Sequence, residues 1–316
     1  MLGNLLGLMA VMSLGPAPEP GISPLYIYGQ SVPINVNLVI RETPKPVTVE
    51  KPEPPKKKDA DNLGLVTSGR SAFVADVASG GILYAKAPHD AMPIASITKI
   101  MTALVVMESD TKLQGDLTFD SNDFDHEGKP VFVAGDTISR KDAMRALLVG
   151  SVNAAANAFA RTSDMTREAF IMRMNDKAKE MHLMSMKFVD ASGLDTGNKA
   201  SAADVAALLT IALRDPEIRQ IMSLPSVTVV TRAGKTYDVK TTNLLLDSFL
   251  NKNPYKVIGA KTGSLPDSGY NLAQVTRDGK GHEVVAVLLG SDNHFSRYRD
   301  VKALTSWAFD SYVWPN

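Results

Sequence analysis

From Ser68 to the C-terminus, strand-like and helix-like patterns succeed one another without a linker, which leaves room for one folded domain of about 245 residues. Residues 72–77, the turn Ser79-Gly80-Gly81 and residues 82–86 read as a β-hairpin whose glycines tolerate positive φ. After Pro93, Ile97, Ile100, Met101, Leu104 and Val105 recur at helical spacing, so a buried helix begins near Ser96. Residues 136–161 are Ala- and Leu-rich and helical, with a break around Gly150, and 204–213 reads as another helix. Near the far end, 257–264, 270–277 and 283–289 are strand candidates, and 294–312 is a closing helix. A hairpin at one end and a meander at the other, with helices between, predict an α+β fold whose antiparallel sheet is assembled from both chain ends.

The residues before this domain differ in character. Ten of the 18 prolines lie before residue 56, and 42–62 mixes five of them with ten charged residues, as in a solvated, extended tether. The reading is therefore a tether over 16–67 and a catalytic-size domain over 68–316. The tether holds one candidate strand at 32–40, where Val32, Ile34, Val36, Leu38 and Ile40 alternate strictly. Lys56-Lys57-Lys58 has acidic neighbours Glu53, Asp59 and Asp61, which favours a solvated linker over an anion-binding patch. Residues 1–15 form a signal-like apolar segment, shorter than the roughly 20 residues of a membrane-spanning helix. Small residues Ser13 and Gly15 suit a signal peptidase, but the first basic residue is Arg41, so the usual basic start is missing. Export is the expectation, against the alternative of an apolar terminus on a cytosolic protein.

Several kinds of chemistry are disfavoured early. Lys plus Arg is 34 and Asp plus Glu is 34, so no field of one sign exists to hold a nucleic acid. There is no cysteine, hence no thiol nucleophile, Cys-ligated metal or disulfide. His89, His126, His182, His282 and His294 are scattered without metal-ligand spacing and read as surface or loop residues, so neither a metal nor a cofactor is expected. G-x-S-x-G, H-E-x-x-H, G-x-x-x-x-G-K-[ST] and G-x-G-x-x-G are all absent.

Ser96-Ile97-Thr98-Lys99 stands at the start of the buried helix, and residues three apart on a helix share a face, so the amine can reach the hydroxyl. The string alone is weak. A second copy, Ser109-Asp110-Thr111-Lys112, sits among charges after the helix, and Ser96 is also where a capping serine would stand. Two further strings add weight. Ser151-Val152-Asn153 follows 55 residues on at the helical break, although Ser151 alone reads best as a cap. Lys261-Thr262-Gly263 lies a further 110 on, inside a strand candidate otherwise fit for burial, where a lysine needs a polar partner and a glycine admits close backbone approach.

With these three strings in order, the sequence resembles the penicillin-binding DD-peptidases and serine β-lactamases, and most of all the low-molecular-mass D-alanyl-D-alanine carboxypeptidases and endopeptidases. The likeness spans roughly 68–313 and includes Phe188-Val189-Asp190-Ala191-Ser192-Gly193-Leu194-Asp195. It implies the β-lactamase/DD-peptidase fold, with a five-stranded antiparallel sheet flanked by helices and an all-helical subdomain. It also implies roles. Ser96 is the nucleophile, Lys99 its base with a pKa depressed by desolvation and Lys261, and Ser151 the proton relay. Asn153 positions Lys99 and the substrate amide, Lys261 and Thr262 receive a carboxylate, and the backbone N–H groups of Ser96 and Ser264, beside Gly263, form the oxyanion hole.

The E-x-x-L-N string of class A β-lactamases is absent between Asn153 and Lys261, so a long-lived penicilloyl adduct is expected. Ser291-Asp292-Asn293 spells the lactamase S-D-N but falls after Lys261-Thr262-Gly263, and reads as a polar turn. Only a helix and a short tail follow the third strand, which favours a single-domain endopeptidase that cuts D-alanyl cross-links. The alternatives are a DD-carboxypeptidase, a β-lactamase and a non-catalytic murein-binding protein. Expected partners are peptidoglycan peptides and β-lactams, with peripheral envelope association and a periplasmic or envelope location.

Overall fold

Strands from both ends of the folded region meet in one central sheet. The computed structural model describes residues 52–109, 113–124 and 130–315. The 1–15 segment, the 32–40 candidate strand, His126 and residues 110–112 of the second Ser-x-x-Lys string lie outside the described residues.

The principal strands and helices, in chain order, begin with β1 (Lys56–Lys57), β2 (Ser71–Asp76) and β3 (Ile82–Lys86). Then come α1 (Lys99–Val106), α2 (Arg140–Val149), α3 (Asn153–Arg161), α4 (Arg167–Glu180), α5 (Ala202–Ala212) and α6 (Pro216–Met222). A hairpin, β4 (Ser226–Val230) and β5 (Thr236–Lys240), leads to β6 (Lys256–Leu265), β7 (Gly269–Arg277) and β8 (Glu283–Ser291). The described chain closes with α7 (Ser296–Ser311) and β9 (Tyr312–Val313).

The central sheet has the order β6-β7-β8-β2-β3 and is antiparallel throughout, as the hairpin and meander signals predict. Its side chains alternate between two cores. Ala72, Val74, Val284, Ala286 and Leu288 pack in the core that includes Val301, Leu304 and Ala308 of α7. Phe73, Ala75, Val285, Val287 and Leu289 join the core of α1 to α6 on the other side. Because helices cover both faces, these strands read as almost continuous apolar runs rather than as alternating ones.

In the helical region every residue of α1 is buried, and α2, α3, α4 and α5 pack around it. Side-chain caps start α2 (Ser139), α4 (Thr166), α5 (Ser201) and α6 (Asp215, followed by Pro216). A two-stranded ladder, Asp116–Thr118 with Thr137–Ser139, and the β4–β5 hairpin lie alongside these helices. The sequence reading does not contain α4, α6 or this hairpin. The core stripe of α4 is only Phe170, Met174 and Ala178, and the hairpin buries only Val229 and Val239.

Residues 56–67, which the sequence reading gives to the tether, lie against the body. β1 pairs with β9, Lys58 N–H donates to Ser311 O at 2.9 Å, and Trp307 Nε1 donates to Asn62 Oδ1 at 3.2 Å. Tyr84 Oη donates to Leu65 O and Lys86 Nζ to Thr67 O. These are largely backbone attachments, and a Pro- and Lys-rich composition does not display them. Among the described residues no helix is long and apolar enough to cross a membrane.

Leu288, fully buried in β8, tests the sheet core. Leu288→Ala is expected to destabilise the domain by about 2–5 kcal/mol, seen as a lower denaturant midpoint at unchanged slope.

Candidate active site

The chain enters α1 through a tight turn. Ala95 has φ 50°, a left-handed value that an L-residue adopts only when its surroundings hold it there, and Ala95–Thr98 forms a short 3-10 helix. The residues at the capping positions of this turn and of α1 are Ile94 and Thr98, and neither has a side-chain cap bond. Ser96 is therefore not a cap. Its Oγ lies 2.8 Å from Lys99 Nζ.

Lys99 is wholly buried, and its amine also donates to Asn153 Oδ1 at 2.7 Å and to the Ser192 carbonyl at 2.5 Å. An uncharged amine has two N–H bonds and one lone pair. The two carbonyl oxygens can take both N–H bonds, which leaves the lone pair for the Ser96 hydroxyl proton.

The Ser192 carbonyl is held by a loop that the sequence marks only as family-like. The Asp190 carboxylate accepts from Ser192 N at 2.6 Å, Gly193 N at 2.5 Å and Asp195 N at 2.7 Å. Asn198 accepts from Val189 N and donates to Thr98 Oγ1, while Thr102 Oγ1 donates to Ala191 O. The loop and the start of α1 are thus tied together. Gly193 has φ +86°, and a Cβ there would lie 2.1 Å from Ala95 O, so only glycine fits.

Ser151 stands between α2 and α3 with φ 58°. The capping position of α3 is Val152, so Ser151 is not a cap either. Its hydroxyl accepts from Lys261 Nζ at 2.7 Å, and the same amine donates to Thr262 O at 2.9 Å. Burial holds the Lys261 pKa well below that of an ordinary lysine, and the nearby charges of Lys99 and Arg297 push it the same way. Lys261 lies on β6, whose Gly263 faces the Ser96 turn. A Cβ on Gly263 would lie 2.4 Å from Ile94 O and 3.1 Å from Ser96 N, so the missing side chain lets the strand close on the turn.

A cleft of about 440 Å³ opens over these groups, and Ser96, Ser151, Asn153, Thr262, Gly263 and Ser264 line it. Lys99 and Lys261 stand behind this lining, each in contact with a lining serine. Every site residue named from the sequence is therefore brought to one place.

Two basic residues of the lining were not placed in the site by the sequence reading. Arg297, on α7, is 4% exposed and donates to Gly263 O at 3.1 Å and to Tyr298 Oη at 2.8 Å. It has no carboxylate partner among the described residues, and its Nε is buried without a hydrogen bond. In sequence it is one charge in Ser296-Arg297-Tyr298-Arg299-Asp300 and looks like an ordinary helix surface. His294, read from sequence as a surface or loop residue, also lines the cleft. Ser291-Asp292-Asn293 does not. Ser291 Oγ bonds instead to Ser68 Oγ at 2.7 Å. No His/Asp/Glu group among the described residues is arranged to hold a metal ion.

Comparison with known proteins agrees with this arrangement. A family model described as D-alanyl-D-alanine carboxypeptidase matches residues 57–293. A D-alanyl-D-alanine endopeptidase of Pseudomonas aeruginosa is 30% identical over 82% of this chain and 83% of its own length. The crystal structure of the Streptomyces K15 DD-transpeptidase superposes with a TM-score of 0.71 at 26% identity, covering 78% of this chain and 99% of that one. Penicillin-binding protein D2 of Listeria monocytogenes, solved in its cefotaxime-bound form, gives 0.67 at 28% identity with the same coverage. The chain belongs to the D-alanyl-D-alanine carboxypeptidase family and is a serine peptidase acting on D-alanyl-D-alanine peptides.

Proposed function

We propose that the protein is an exported DD-endopeptidase that opens D-alanyl cross-links in peptidoglycan through an ester on Ser96. The observation that carries this reading is the wholly buried Lys99 amine in contact with Ser96 Oγ, Asn153 Oδ1 and the Ser192 carbonyl. The endopeptidase preference rests on the resemblance to endopeptidases such as that of Pseudomonas aeruginosa.

In the first half-reaction Ser96 Oγ attacks the carbonyl carbon of the D-alanyl residue while Lys99 takes its proton. The peptide C–N bond breaks as Ser151, supported by Lys261, delivers a proton to the departing nitrogen and regains one from the protonated Lys99, which leaves the Lys99 amine uncharged for the next half. Backbone N–H groups of Ser96 and Ser264 stabilise the oxyanion, at about 3–4 kcal/mol per donor. In the second half, water adds to the ester as Lys99 accepts its proton, and Lys99 returns that proton to Ser96 Oγ as the C–O bond breaks and the free acid leaves.

The sequence reading gives Lys261 a direct role in carboxylate binding. Its amine instead stands behind the cleft on Ser151, so Thr262 and the buried Arg297 are assigned to receive the carboxylate. A β-lactam presents an amide carbonyl and a carboxylate to the same groups, and the Listeria protein was solved with cefotaxime bound. The expected adduct is long-lived, because no Glu-x-x-Leu-Asn string is present between Asn153 and Lys261 to activate water.

Intact-mass measurement after benzylpenicillin should show one penicilloyl group on the wild type and none on Ser96→Ala. No adduct on the wild type at saturating drug, or rapid turnover of nitrocefin, would remove this reading. Digestion of purified murein should release cross-linked dimers as monomers; loss of terminal D-alanine alone would make the protein a carboxypeptidase. Gly263→Val should slow acylation by about 100-fold or more, since an ångström of displacement between strand and turn is costly at this site.

Lys261 also predicts a stability profile. The unfolded chain keeps its proton up to about pH 10.4, whereas the folded chain sheds it earlier. Stability at this site therefore rises with pH across that window and is lowest below it. Lys261→Met should be more stable than wild type at neutral pH, with the difference shrinking towards pH ~10, while acylating more slowly. Thermal melts across pH, paired with acylation rates, check both.

A further inference from the structure

His294 sits in the turn between β8 and α7, beside Arg297, and lines the cleft that holds Ser96. Three aromatic rings fix its place. Tyr270 lies edge-on with centroids 5.6 Å apart, Phe295 at 4.8 Å and Tyr298 at 5.5 Å. The turn itself is anchored by Phe295 N–H donating to Asn293 Oδ1 at 2.8 Å. Neither ring nitrogen of His294 has a hydrogen-bond partner among the described residues. A phenylalanine would satisfy the same packing. The imidazole nitrogens add nothing to that packing, and they stand in the wall of the cleft beside the buried Arg297, where an anionic ligand would meet them.

We propose that His294 is a specificity residue for the leaving side of the substrate, where it binds the carboxylate next to the scissile bond together with Arg297 and takes up a proton as it does so. This rests on the Ser96 acyl-enzyme reading given above. The charged and titratable groups around the ring are Arg297 and Tyr298 on α7, Tyr270 on β7 and the exposed Asp292 in its own turn. Desolvation first and the Arg297 charge second hold His294 below the usual histidine pKa, so its neutral form is favoured at pH 7. A bound carboxylate adds an opposite charge and favours the imidazolium. Binding of an anionic leaving residue thus becomes tighter as pH falls, and binding of its uncharged analogue does not.

The test compares a D-alanyl-D-alanine peptide bearing a free C-terminal carboxylate with its C-terminal carboxamide, between pH 5 and 7.5, on wild type, His294→Phe and His294→Gln. In the wild type KM for the acid should fall as pH drops through about 6.5, while KM for the amide stays flat. His294→Phe should raise KM for the acid about tenfold at pH 5.5 with a smaller change in kcat, and leave KM for the amide within about twofold. His294→Gln keeps a neutral donor; it should recover part of the affinity and lose the pH dependence. Equal effects on acid and amide, or a pH-dependent KM that survives in His294→Gln, overturn the proposal. A penicilloyl adduct that still forms on Ser96 in each variant shows that the fold and the acylation chemistry are intact. Its absence from the wild type would count against the acyl-enzyme reading instead.

Discussion

Two lysine amines, those of Lys99 and Lys261, are buried in the wall of one cleft. Lys99 meets a serine, an asparagine and a backbone carbonyl, and Lys261 meets a serine and a backbone carbonyl. An ammonium in such a place is costly, and for Lys261 burial holds the pKa well below that of an ordinary lysine. An uncharged amine beside a hydroxyl is a base. The chemistry of the site thus follows from a desolvation that the fold has to sustain, and Lys261 carries a stability cost for its position.

The surrounding backbone keeps these groups in contact. Ala95 and Ser151, both at positive φ, turn the chain so that Ser96 and Ser151 face the amines instead of capping helices. Gly193 and Gly263 remove the side chains that would hold the 190–198 loop and β6 away from the Ser96 turn. Asp190 gathers three loop N–H groups and so aims the Ser192 carbonyl at Lys99. Two of the four non-glycine residues at positive φ among the described residues thus flank the reacting centre, while the two apolar cores on either side of the sheet supply the stability.

The basic side chains that line the cleft come from the far end of the described chain. Arg297 and His294 come from α7 and the turn before it, and α7 is packed on the sheet by Val301, Leu304 and Ala308. The helix that closes the second core therefore also places a buried guanidinium beside Gly263 O. In the function proposed above, a carbonyl flanked by a carboxylate meets Ser96 and Arg297 in this one cavity.

The sequence by itself determined the order of the main strands and helices, the Ser96–Lys99 spacing and the Ser151, Asn153 and Lys261 strings, because these depend on short-range periodicity and on residue type. It did not reveal α4, whose core stripe is only three residues wide, nor the attachment of 56–67, which is made largely through backbone groups. Only the tertiary structure decided that Lys261 contacts Ser151, that the Ser192 carbonyl meets Lys99, and that Arg297 and His294 line the cleft. Those facts are contacts between residues about 90 to 110 positions apart, or between ordinary-looking surface residue types and a cleft. Local patterning carries no record of what a side chain meets across the core, so burial and long-range hydrogen bonds have to be seen in three dimensions.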